Sequence, residues 1–400
     1  MDDSQHQMLT LARYAFFAIL GLPGPYVLSA SAQASSSSGA PAFSVAEIPS
    51  LGGNPALLLA TGINDAGQVT GSSYIAGNAI THAFLYSDGV TQDLGTLGGS
   101  ESDGSGINNA AEITGLADAA NGTINAFLYR DGVMHNLGSV VGIDSVGYAI
   151  NESGQIIGSS QGGAFLYSRG AAQYLTSSAG TLSPSAINAA GEVLGMVASN
   201  GPSQTFLYSG AVVSVLGTLG GNSTHGTALN KSGQVTGYSL NAGGTQLAFL
   251  YSNGVMQSLG SLWALGASTG AAINASGQVT GSASVPDGEY SGTHAFLYSN
   301  GVMQDLGTLG GSGMYDLSGG QAINAAGEVT GASYTASGAQ HAFLFTKGTL
   351  YDLNSLIAAS PLAPYVTLTG TTAITDTGYL LAQGVDTRNG SIWFVLHRQR

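Results

Sequence analysis

The chain has 400 residues, of which 62 are Gly; 8% are charged and 44% hydrophobic, the formal net charge is −14, and there is no Cys. This excludes disorder, which needs low hydrophobicity and dense charge, and a collagen helix, because the Gly residues follow no three-residue period. With 8 basic against 22 acidic residues the electrostatic footprint for a phosphate backbone is missing, so nucleic acid is not an expected partner. Without Cys there are no disulfides, thiolate metal sites or thiol nucleophiles.

In chain order, residues 1–34 read as a secretory signal. Arg13 stands before an apolar stretch from Tyr14 to Leu28, and Ala32 and Ala34 occupy the two small positions of a cleavage site. Asp2 and Asp3 weaken the basic end, and Pro23 and Pro25 interrupt an apolar centre already shorter than the ~20 residues of a membrane span. The expectation is a secreted or cell-surface protein, cleaved after Ala34 and left with no membrane span. Residues 35–42 (SSSSGAPA) read as a short flexible linker.

The remainder, 43–400, is organised by one repeated string. INDAGQVTG at Ile63 recurs at Ile107, Ile150, Ile187, Leu229, Ile273, Ile323 and, degraded, Ile374. A mean spacing of about 44 residues is in the range of propeller blades and some helical repeats. The units are dense in Gly, Thr, Val and aromatics and carry no 3.6-residue apolar stripe, which leaves strands.

Each unit holds two hairpin signals. Asn64-Asp65-Ala66-Gly67 joins two apolar runs, with Asn suited to cap the turn and Gly to supply positive φ. Further on, Asp88-Gly89, Asp131-Gly132, Asn253-Gly254 and Asn300-Gly301 mark a second reversal. Two hairpins make four antiparallel strands. Phe84 and Tyr86 point one way and Leu85 the other, so neither face of the sheet tolerates water, and blades stacked around an axis bury both.

The eighth copy is followed by only one further strand, from Ser391 to His397, whereas Phe43 to Gly53 (FSVAEIPSLGG) resembles a fourth strand with its exit. The prediction is an all-β, eight-bladed β-propeller of four-stranded antiparallel blades, closed by an N-terminal strand that completes the last blade and leaves no edge exposed.

The His-Ala-Phe at His82, His294 and His341, the FLY or FLF it runs into, and the LGTLGG at Leu94, Leu216 and Leu306 resemble the HAF family of extracellular repeat proteins. The resemblance covers nearly all of 43–400. It implies a bacterial, exported repeat protein and no known reaction, so it transfers no catalytic residue. Asn125, Gly163, Gln204 and Leu247 replace the His in other units.

Little in the sequence carries chemistry. The repeated Asn (Asn64, Asn108, Asn151, Asn188, Asn230, Asn274, Asn324) reads as a turn cap. The repeated Gly71, Gly115, Gly158, Gly195, Gly237, Gly281 and Gly331 read as close-packing positions in a strand. His82, His294 and His341 read as strand-end hydrogen-bonding groups. No nucleophile elbow, phosphate loop or D-x-D-x-D-G loop is present, and neither a cofactor nor a metal is expected.

Glu101, Asp103, Asp118, Asp144, Asp287, Glu289, Asp316 and Asp386 read as solvated loop charges. In such a meander both tight turns of every blade share one end. The longer connections share the other: 72–81, 116–124, 282–293 and 332–340 within units, and 98–105, 310–320 and 354–370 between them. Variable loops on a rigid scaffold are where binding residues sit. The expected function is a non-enzymatic binding or surface-interaction scaffold for a glycan, surface polymer or protein. Asp287, Glu289, Tyr290, Tyr315 and Asp316 are the expected ligand-binding residues. The alternative is an extracellular hydrolase or lyase acting on a polysaccharide through loop carboxylates.

Overall fold

The computed structural model describes residues 40–198, 201–287 and 290–399. The signal segment, 1–34, falls outside them.

Asn64 folds the first hairpin of blade one: its Oδ1 accepts the backbone N–H groups of Ala66 (3.1 Å) and Gln68 (3.0 Å), and Gly67 takes a φ of 77°. The second hairpin turns on Asp88 and Gly89, at φ 51° and 84°, the left-handed pair that matches strand twist. The strands so defined are Leu59–Ile63, Val69–Tyr74, Thr81–Ser87 and Val90–Asp93, paired in that order. The same chemistry repeats over 98–136, 146–174, 181–215, 220–260, 268–305 and 318–352.

The last blade contains Val366–Ile374, Tyr379–Asp386 and Trp393–Arg398, and its outer strand is Phe43–Glu47. The register runs from Phe43 opposite Arg398 to Glu47 opposite Phe394. The result is an eight-bladed β-propeller closed by its N-terminal strand. No helix among the described residues is long and apolar enough to cross a membrane.

The core lies between blades. Phe84, Phe127, Phe165, Phe206, Phe249, Phe296 and Phe343 are all fully buried. Phe127, for example, packs with Ile113 and Tyr129 of its own blade against Ala83 and Leu94 of the blade before. The second-strand glycines make room within each blade: a Cβ on Gly115 would lie 2.9 Å from the Phe127 ring of the third strand and would overlap the Asp103 carbonyl oxygen of the first.

Polar links cross the same interfaces. Ala83 N–H donates to the Ser102 hydroxyl of the next blade (2.9 Å), which donates back to the Gly95 carbonyl (2.5 Å); Ser318 repeats this between Ala295 and Gly307. The turn asparagines also do more than cap. Asn64 Nδ2 donates to the Asn108 carbonyl of blade two (3.1 Å), and the pattern continues from Asn108 to Asn151, Asn188, Asn230, Asn274 and Asn324. Each of these side chains is buried, so the bonds form away from water.

The connections expected to be long loops are partly strand. The first strand of blade two begins at Gly98, and in blade six the second and third strands extend to Asp287 and from Tyr290, forming a projecting hairpin in place of an open loop. Continued ladder pairing, Val285 opposite Gly292 and Asp287 opposite Tyr290, satisfies backbone groups that an irregular loop would leave to solvent.

Candidate functional site

Third strands begin, and fourth strands end, at the long-connection end of each blade. His294 lies on the third strand of blade six, towards this end, and Asp305 ends its fourth strand. His294 Nδ1 lies 2.8 Å from Asp305 Oδ1, and its Nε2 lies 2.9 Å from Asp316 Oδ1, on the connection into blade seven. Asp305 Oδ1 also accepts the Gly307 N–H at 2.8 Å, which fixes the exit turn. Burial alone would depress the His294 pKa. The hydrogen bonds and charges of the two carboxylates outweigh it and push it up to about 9. Burial acts upward on Asp305, and the His294 hydrogen bond reverses this and holds its carboxyl below the usual range.

A group raised above its unfolded value of about 6.5 stabilises the fold fully below that pH and loses the contribution as pH rises through about 9. The expected result is that His294→Asn destabilises the protein at pH 6 by roughly 2 kcal/mol, with the difference from wild type vanishing by about pH 10. Urea unfolding at the two pH values checks it, and a pH-independent difference would refute the pairing.

The arrangement recurs: His82 Nδ1 lies 2.9 Å from Asp93, and His341 Nδ1 lies 2.7 Å from Asp352. Among the described residues, only at His294 does a carboxylate approach both ring nitrogens, and Asp316 is that second partner. Asp316 therefore departs from the expectation of a solvated ligand-binding charge, because it pins its own loop. Asp386 departs further. It is fully buried and bonded by the Arg388 guanidinium (Nε to Oδ1 3.0 Å), which holds its carboxyl below the usual range. A loop charge adjacent to an Arg two residues on is drawn into a pair instead of being left in water.

Tyr315 is 40% exposed in the short turn Gly313–Tyr315, its ring tilted against Tyr334 with centroids 5.5 Å apart. Met314 beside it is 65% exposed. The backbones of Asp287 and Tyr290 form the tip of the blade-six hairpin; their side chains and the whole of Glu289 lie outside the described structure. The structure thus joins Tyr315 and Asp316 to His294 and Asp305, which the sequence reading did not place in the site.

Charge is divided between the two ends. Among the described residues, Arg130, Arg169, Lys231, Lys347 and Arg398 all lie at the tight-turn end. Arg388 alone stands at the other, bound to Asp386 and with its guanidinium carbon 4.9 Å from the Tyr365 ring centroid. No group of three or more His, Asp or Glu among the described residues is arranged to hold a metal ion.

The fold and site define a closed, eight-bladed β-propeller with one acidic, loop-bearing end. No family model matches the chain, and no curated protein matches it. Among solved structures, Porphyromonas gingivalis dipeptidyl peptidase 4 is similar over 85% of this chain and 60% of its own, with a TM-score of 0.52 and 11% identity. The β-propeller domain of the Trilobed protease from Pyrococcus furiosus covers 74% of this chain and 97% of its own, with a TM-score of 0.45 and 8% identity. A Mycobacterium tuberculosis puromycin-hydrolyzing peptidase covers 86% and 62%, with a TM-score of 0.45 and 12% identity. The chain spans about three fifths of the length of the two whole peptidases. At these identities the likeness is one of fold.

Proposed function

We propose that this chain is an exported, non-enzymatic propeller that acts as a binding or surface-interaction scaffold, engaging a glycan, surface polymer or protein at the loop-bearing end of blades six and seven. The observation that carries this reading is Tyr315. It is an exposed aromatic braced by Tyr334, on a loop whose next residue is anchored to His294. A rigid aromatic presented this way offers contact area at low entropic cost. The acidic surroundings disfavour polyanions and leave uncharged or cationic partners.

The alternative, a polysaccharide hydrolase or lyase, requires two working carboxylates flanking a bond. The two carboxylates that this site brings together, Asp305 and Asp316, contact the same imidazole, so both are engaged within the fold. That favours the scaffold.

A glycan array on residues 35–400 tests the reading. Tyr315→Ala is expected to weaken the strongest binding at least tenfold while the melting temperature stays within about 2 °C, as for a surface substitution. An array on which no ligand is bound more weakly by Tyr315→Ala would overturn it. Export, supported by the resemblance to HAF repeats, has a separate check: N-terminal sequencing of exported protein is expected to begin at Ser35, and a start at Met1 would refute cleavage.

A further inference from the structure

At the tight-turn end of most blades, the side chain that closes the first hairpin meets a residue at the end of the third strand. Gln68, Gln234 and Gln278 donate through Nε2 to Ser87 (3.4 Å), Ser252 (3.2 Å) and Ser299 (3.1 Å). Ser209 and Thr346 donate to Glu192 and Glu328, both at 2.6 Å, and Arg130 donates to Glu112 at 3.3 Å. In blade eight Tyr379 stacks on His397, with ring centroids 4.1 Å apart. Blade three carries the commonest pair, Gln155 and Ser168, yet no hydrogen bond joins them. Gln155 Oε1 accepts from Asn151 Nδ2 at 2.8 Å. Its Nε2 and the Ser168 hydroxyl have no partner among the described residues.

Both residues line a groove of about 450 Å³ between blades three and four, a volume within the range of small-molecule sites. Its walls also include Leu166, Gln173 and Tyr208, and no charged residue. Tyr208 donates to Gln173 Oε1 at 3.2 Å, which leaves the Gln173 amide nitrogen unpaired among the described residues. The groove is open because blade four turns on Gly210-Ala211, where other blades have Asp, Asn, Arg or Lys, and because Ala171 stands where five blades have Val.

We propose that this groove binds an uncharged, hydroxylated ligand, a single sugar residue being the chemical class it fits. Two amide nitrogens and a hydroxyl supply donors and an acceptor for ring hydroxyls, while the exposed methyl groups of Ala171, Ala190 and Ala211 offer apolar surface to the face of a pyranose. A charged ligand would meet no counter-charge there and would keep its desolvation cost.

Saturation-transfer NMR and calorimetry on residues 35–400 test this with D-glucose, N-acetyl-D-glucosamine and, as the charged counterpart, D-glucuronate. At least one neutral sugar is expected to bind, and glucuronate at least tenfold more weakly. Gln155→Glu keeps the acceptor that Asn151 needs, as Glu112, Glu192 and Glu328 do in their own blades, and removes the amide donor. It is expected to weaken binding at least tenfold with an unchanged melting curve. Ala171→Phe, at an exposed position, is expected to abolish binding by filling the groove. Tyr315→Ala, at the opposite end, is expected to leave this binding unchanged, which separates it from the scaffold reading above. Failure of both neutral sugars to bind, equal affinity for glucuronate, or binding that survives both groove variants would overturn the proposal.

Discussion

Deleting residues 43–53 is expected to lower the melting temperature by roughly 10 °C or more, whereas deleting residues 35–41 leaves it unchanged. Phe43, Val45 and Ile48 are each less than a tenth exposed, and burying side chains of this size contributes about 1.5–3 kcal/mol apiece. Phe43 and Val45 pack with Leu344, Leu353 and Leu396, while Ile48 packs towards Val69 and Phe84 of blade one, so the segment joins three blades. Glu47 adds polar ties, accepting from Asn389 Nδ2 (2.7 Å) and from the Ser391 hydroxyl. Its loss also bares the backbone edge of Trp393–Arg398, which favours edge-to-edge association. Calorimetry with size-exclusion chromatography reads both effects, and supplying a 43–53 peptide in trans is expected to recover part of the loss. Equal melting temperatures for the two deletions would mean that the ring is not closed by this strand.

Asn274→Ala is expected to cost about 3 kcal/mol, more than the ~1 kcal/mol typical of a lost cap. Its Oδ1 accepts from Ser276 and Gln278 N–H, both at 3.0 Å, and its Nδ2 donates to Gln278 Oε1 (2.7 Å) and across to the Asn324 carbonyl (3.0 Å). Each bond contributes roughly 0.5–1.5 kcal/mol net, and buried partners left unpaired add to the loss. Asn324 provides the control. It caps its own turn and donates to Glu328 at 2.9 Å, and among the described residues it makes no bond to the next blade's carbonyl, so Asn324→Ala is expected to cost less. Urea unfolding of both variants makes the comparison, and equal losses would show that the bond between blades contributes nothing.

The blade number, the four strands and the closing segment were legible because local turn chemistry repeats: Asn with Gly three residues on, then Asp-Gly or Asn-Gly, fixes both hairpins before any tertiary contact forms. The cross-blade reach of Asn64 and its counterparts was not legible, since a cap and a bridge make the same demand on residue type and only the stacking distance of the blades separates them. The His–Asp pairs left a signal that could have been found. His82, His294 and His341 are each followed by Asp at a spacing of eleven, as Asp93, Asp305 and Asp352, and where the His becomes Asn125 the partner becomes Asn136. At the candidate site, the exposure of Tyr315 agreed with its place in a variable connection. Asp316 and Asp386 did not follow the rule that loop charges are solvated, because each met a cation supplied by a neighbouring strand or turn.

The asparagine bridges all run the same way round the ring, each blade giving an N–H to its successor and offering a carbonyl to its predecessor. Six junctions therefore share one bridge, while among the described residues the two junctions of blade eight are tied by other parts, Arg398 on Glu328 (2.8 Å) and Thr377 on the Asp65 carbonyl (2.6 Å). Removing or duplicating one internal unit by unequal recombination recreates a junction of the kind it interrupts. A rearrangement of internal units thus keeps the same bridge at each new junction, while the parts of the seam are kept only when the two ends are inherited together.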